Sequence, residues 1–96
     1  MIAIDELSEV LPGAETAESE FERAELTRTI NGFLSGLKDA ERDVFVCRYF
    51  MAYPIKEISH RFGFSQSKTR SVLFRLRQKL KKYLRRRGIN DGGTYF

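Results

Sequence analysis

Between residues 61 and 70 the chain reads RFGFSQSKTR, and this stretch constrains the fold more than any other. A stripe of helical period, Ile55, Ile58 and Phe62, stops at Gly63, and a second, Thr69, Val72, Leu73, Leu76, Leu80 and Leu84, starts after Ser65. Two helices joined by so short a link must cross steeply. Such a corner requires a residue at positive φ and a small side chain where the helices touch. Gly63 meets the first requirement and Ser59 the second, with Phe62, Phe64 and Val72 available to fill the angle. Ser65 is placed to cap the incoming helix through its hydroxyl. Gln66, Ser67, Lys68, Arg70 and Ser71 then leave the first two turns polar and outward-facing, an arrangement with helix-turn-helix geometry.

The rest of the chain reads as further helices. Pro12-Gly13 separates residues 1–15, an acidic flexible segment, from the helical region. Ser19-Glu20-Phe21-Glu22 matches a capping box, and Leu26, Ile30, Phe33, Leu34 and Leu37 continue a helical stripe, predicting a helix over about residues 16–36. Asp39 is predicted to cap a second helix, AERDVFVCRYFMA, which is apolar on nearly every side and so suited to burial between neighbours. Pro54 stands where a third helix, about 55–62, begins, since a first-turn residue needs no N–H. No stretch alternates with period two. The fold class is all-α: a four-helix bundle-like domain over residues 16–87 with a C-terminal helix-turn-helix, then a flexible tail, 88–96, holding three of the glycines.

A glycine followed by an N-cap also occurs in plain helical hairpins, and charge tips the balance. Residues 1–20 hold six acids and no base, residues 21–53 balance, and residues 54–87 carry twelve Lys or Arg against the single acid Glu57. On the last helix, ten bases from Lys68 to Arg87 meet no acid, whereas a merely solvated helix interleaves Glu with Lys. Some of the last-turn arginines only complement the helix dipole. Self-repulsion on this scale points to a polyanionic partner, with double-stranded DNA the natural one. One cysteine, Cys47, and one histidine, His60, support neither a disulfide framework nor a zinc site, and no nucleophile–base set is visible, so the chain reads as a non-enzyme without cofactor. The longest apolar run, the five residues Tyr49 to Tyr53, is far too short to cross a bilayer, and a cytoplasmic setting is expected.

The stretch LKDAERDVFVCRYFMAYPIKEISHRFGFSQSKTRSVLFRLRQKL resembles conserved region four, the C-terminal promoter-reading domain of bacterial RNA polymerase sigma factors, especially the extracytoplasmic-function-like group. The resemblance covers about residues 20–84 and rests on the ERDVFVCRYF, IKEIS and SQSKTRSVLFRLRQKL segments taken together. It implies a winged-helix-like, sigma region-four fold that docks the start of its last helix into the major groove of the upstream (minus-35) promoter element. The implied base readers are Gln66, Ser67, Lys68, Arg70 and Ser71, with Arg75 farther along the groove. Lys56, Arg61, Ser65 and Arg77 would hold the DNA backbone and fix register. Tyr49, Phe50 and Tyr53 are candidates for an apolar patch on the RNA polymerase β-subunit flap, and an anti-sigma protein is a further implied partner.

Two departures stand out. Thr69 occupies a buried recognition-helix position that is usually aliphatic, and the chain has no room for sigma region two, which implies a fragment, a stand-alone regulator or half of a split sigma factor. A monomer is favoured. Rival readings are a dimeric helix-turn-helix regulator that never meets polymerase, with Phe74 as its patch, and a basic-helix module for an acidic protein or anionic membrane. The membrane version requires Leu73, Leu76 and Leu80 to be exposed.

Overall fold

The computed structural model describes Glu6 and residues 19–87. The remainder of the acidic segment 1–15 and the tail 88–96 lie outside the described residues. Helix α1, Glu20–Leu34, starts at the capping box: the Ser19 hydroxyl accepts from the Glu22 amide at 3.0 Å, and the Glu22 carboxylate accepts from the Ser19 amide at 3.2 Å. That cap puts the helix start after residue 19 rather than at 16. The far end closes at Leu34 instead of 36, because the amides of Gly36 and Leu37 turn back onto the Phe33 and Leu34 carbonyls.

Helix α2, Asp39–Phe45, is capped differently from expectation. Lys38 is its N-cap residue, and Asp39 is already helical, its carboxylate accepting from Arg42 at 2.7 Å. After Phe45 the helix widens into a π-helical turn, Val46–Phe50, in which the Met51 amide reaches the Val46 carbonyl at 3.0 Å. Ala52 ends the turn in the left-handed region, at φ 59°. Helix α3, Ile55–Phe62, follows Pro54, which serves as its N-cap and not as its first residue. Helix α4 spans Gln66–Arg86.

The core forms where the apolar faces meet. Ile30, Phe33 and Leu34 of α1, Val44, Phe45 and Tyr49 of α2 and its widened turn, Ile58 of α3, and Leu73, Leu76, Leu80 and Leu84 of α4 are all buried. Phe33 packs edge-on against Phe45 and tilts against Tyr83 of α4, with centroids 5.6 and 5.7 Å apart, which ties α1 to both partners. Gly32 makes that approach possible, because a Cβ there would run into the Tyr83 hydroxyl. Among the described residues there is no strand, and no helix is long and apolar enough to cross a membrane. The fourth-helix leucines are enclosed, so an amphipathic face laid on lipid is not what this helix offers.

Candidate nucleic-acid interface

The interface is built on the corner between α3 and α4. Gly63 lies at φ 69°, ψ 26°, and its amide and that of Phe64 both turn back onto the Ser59 carbonyl, ending α3 in the left-handed fashion typical of glycine. Ser59 is 7% exposed, small enough to sit at the helix contact, and its hydroxyl donates to the Lys56 carbonyl at 2.8 Å. Phe62, Phe64 and Val72 are half-buried around the bend. Ser65, extended at ψ 162°, caps α4 by accepting from the Lys68 amide at 3.0 Å. Its carbonyl accepts both the amide and the hydroxyl of Thr69, the latter at 2.9 Å. Thr69 is therefore fully enclosed with its polar atom satisfied, which explains how a hydroxyl occupies an aliphatic position.

Beyond the corner, Gln66, Ser67, Lys68, Arg70, Ser71 and Arg75 are all exposed. Lys68 rests its ammonium 4.4 Å from the Phe64 ring centroid, so a cation flanks the tip of α4. Lys56 of α3 and Gln66 of α4 line a common cleft with Pro54, Glu57, Ser59, His60 and Phe64. Arg61 is exposed and fixed: Glu57 accepts from it at 2.8 Å, and its guanidinium lies 4.5 Å from the Tyr53 ring centroid. Lys56 and Gln66 thus share one cleft between the two helices, while Arg61 lines a separate groove with Arg42, Asp43, Val46, Cys47 and Phe62.

Arg77 is engaged within the chain. Its side chain is 16% exposed, donates to the Tyr49 hydroxyl at 2.9 Å and lies 3.1 Å from the Glu6 carboxylate. Arg48 joins from the widened turn, 3.0 Å from the same carboxylate, and the Tyr49 hydroxyl donates to it at 2.6 Å. Burial on its own would raise the pKa of Glu6. Hydrogen bonds from Arg48 and Tyr49, and the charges of Arg48 and Arg77, outweigh it and hold the carboxyl below its ordinary value. Burial, then the bond to Glu6, pushes the Tyr49 phenol up, so it stays a neutral donor. The sequence counts Glu6 only as one of six N-terminal acids, and a fold of that segment over the basic helix is the less favoured reading; nothing in it singles out Glu6 or these partners.

The candidate polymerase patch is corrected at one position. Tyr49 is fully buried, tilted against Phe45 with centroids 4.7 Å apart, because the widened turn rolls it into the core. Phe50 and Tyr53 keep partial exposure. Cys47 is half-buried, lining a groove with Arg42, Asp43, Val46, Arg61 and Phe62, and burial pushes its thiol up despite Arg61. No group of metal-ligating residues occurs among the described residues.

Helices of this order, with a left-handed corner before a capped and exposed basic helix, define a helix-turn-helix domain of the all-α kind. Residues 33–82 match the family Sigma-70, region 4, and the chain belongs to that family. It is also 36% identical, over 74 residues, to the ECF RNA polymerase sigma factor SigM of Bacillus subtilis (strain 168). That alignment takes in 77% of this chain and 45% of SigM, so the chain spans less than half the length of this relative. No solved structure matches.

Proposed function

We propose that the chain is a non-enzymatic, sequence-specific DNA-binding factor of transcription initiation, which lays the start of α4 into the major groove of an upstream (minus-35) promoter element. The observation that carries this reading is the exposed, acid-free tip of α4, aimed by the left-handed corner at Gly63 and capped by Ser65. Gln66, Lys68, Arg70 and Arg75 offer the donors and acceptors that read base edges. Lys56, Arg61 and the amides beside Ser65 supply contacts to phosphates. RNA polymerase is the protein partner, held through the β-subunit flap by surface that includes Phe50 and Tyr53. An anti-sigma protein is a second class of partner, and the setting is cytoplasmic, where promoters are read.

Selection of bound sites from a random duplex pool, with and without the polymerase flap, tests the reading. A consensus hexamer-sized motif that strengthens with the flap supports it. With about six phosphates neutralised, log affinity falls against log salt with a slope of about −5, and an affinity nearly independent of salt refutes it. One observation favours a second reading: Phe74 is 55% exposed on the outer side of α4, a suitable patch for a second copy. A stable dimer by light scattering, with no affinity for the flap, would select the dimeric regulator instead.

A further inference from the structure

Donors from two parts of the fold converge on one carboxylate. Glu6 accepts from Tyr49 at 2.6 Å and from Arg48 at 3.0 Å, both in the widened turn after α2, and it stands 3.1 Å from Arg77 of α4. The socket is itself braced: Arg48 donates to the Tyr53 carbonyl at 3.0 Å, and Arg77 donates to the Tyr49 hydroxyl at 2.9 Å. Side-chain exposures of 27% for Glu6, 21% for Arg48 and 16% for Arg77 put all three charges largely out of water, where charge-assisted hydrogen bonds are strong and an unmatched guanidinium is costly. Two guanidiniums around one hydroxyl therefore require an anion. Arg77 also lies seven residues beyond Arg70, which puts it on the same side of α4 as a proposed base reader.

We propose that Arg48, Tyr49 and Arg77 form an oxyanion socket whose resident ligand is the Glu6 carboxylate, and that Glu6 and a DNA phosphate compete for Arg77. The planar fork of Arg77 suits a phosphate as well as a carboxylate, so the exchange swaps one oxyanion for another without repacking α4. The acidic segment thereby restrains DNA binding from within the chain. This rests on the DNA-binding reading above.

The test is a double-mutant cycle on the full chain, with duplex affinity measured across a salt series for the native protein, Glu6→Gln, Arg77→Gln and the double variant. Glu6→Gln is expected to bind about fivefold tighter at low salt, with a slope steeper by about 0.9, as one added phosphate contact requires. Arg77→Gln alone is expected to stay within about twofold of native, and to cancel the gain when added to Glu6→Gln. Glu6→Gln binding no tighter than native, or Arg77→Gln alone flattening the salt slope, overturns the competition. Melting curves for each variant show which are folded. If Glu6→Gln unfolds, Glu6→Asp, whose carboxylate is one methylene shorter and so loosens its hold on Arg77, takes its place in the cycle with the same outcomes supporting or overturning the competition. Failure of the native chain to bind duplex sinks the proposed function and this inference with it, whereas native binding without coupling sinks only the inference.

Discussion

Replacing Gly63 by alanine isolates the conformational requirement of the corner from its packing. The residue sits at φ 69°, ψ 26°, where a residue with a Cβ is disfavoured by about 1–2 kcal/mol. A Cβ built there meets nothing within 4 Å, so no steric cost is added. Alanine also restricts the unfolded chain, which offsets roughly 0.4–1 kcal/mol. The net expectation is a loss of about 1 kcal/mol, seen as a lower urea midpoint at unchanged slope and a melting temperature lower by about 4–8 °C. Gly63→Asn should recover part of it, because asparagine tolerates the left-handed region. The open space around the Cβ leaves the α3–α4 angle intact, so duplex affinity well below the melting point should stay within about twofold of native. A loss above about 3 kcal/mol would require a contact that the corner does not contain, and a clear gain in stability would require a right-handed corner; either result refutes the reasoning.

Ala52 presents the inverse case at φ 59°, and Ala52→Gly is expected to stabilise the domain by about 0.5–1 kcal/mol, measured by urea unfolding. Thr69→Val removes a hydroxyl bonded to the Ser65 carbonyl, which keeps the Thr69 amide as donor, so stability should change by less than about 1 kcal/mol. A drop of several kcal/mol would show that the hydroxyl holds the cap. Arg70→Ala should relax sequence preference in a binding-site selection, whereas Lys56→Ala should weaken all duplexes alike. Glu6, faced by Arg48 and Tyr49 from the widened turn and Arg77 from α4, titrates lower folded than unfolded. Its contribution is complete above the ordinary carboxylate range and is lost as pH falls through the folded value. Native stability should therefore fall more steeply than that of Glu6→Gln as pH drops through and below the ordinary carboxylate range, by chemical denaturation at each pH.

The corner was legible because glycine and serine carry local signals: one residue type tolerates positive φ, and one caps a helix with its own hydroxyl. The apolar stripes located the leucines of α4 for the same reason, since a period of 3.6 survives in any context. The turn before α3 was not legible. Ala52 carries no mark of positive φ, and nothing in the sequence marks the widening at Val46–Phe50 that rolls Tyr49 inward, so a buried tyrosine looked like surface. Glu6 was equally silent, since an acid within an acidic run has no period to read and its partners lie more than forty residues away. Arg77 looked like every other base on its helix until its partners were known.

That last point changes how the charge of α4 is to be read. Counting bases treats the helix as one cationic rod, but the structure divides it. Lys68, Arg70 and Arg75, next to the corner, face solvent, whereas Arg77 turns to Glu6 and Tyr49 and Lys79 donates to Glu41 at 2.8 Å. The bond from Lys79 also holds the Glu41 carboxyl below its ordinary value. The shaft of the helix thus commits charge to holding Glu41 of α2 and Glu6, and the tip keeps its charge for a partner. Salt dependence should then report the exposed bases and not the total. A slope far steeper than the exposed bases allow would mean that Arg77 and Lys79 abandon their carboxylates on DNA, which is the rearrangement that the Glu6→Gln cycle detects at Arg77.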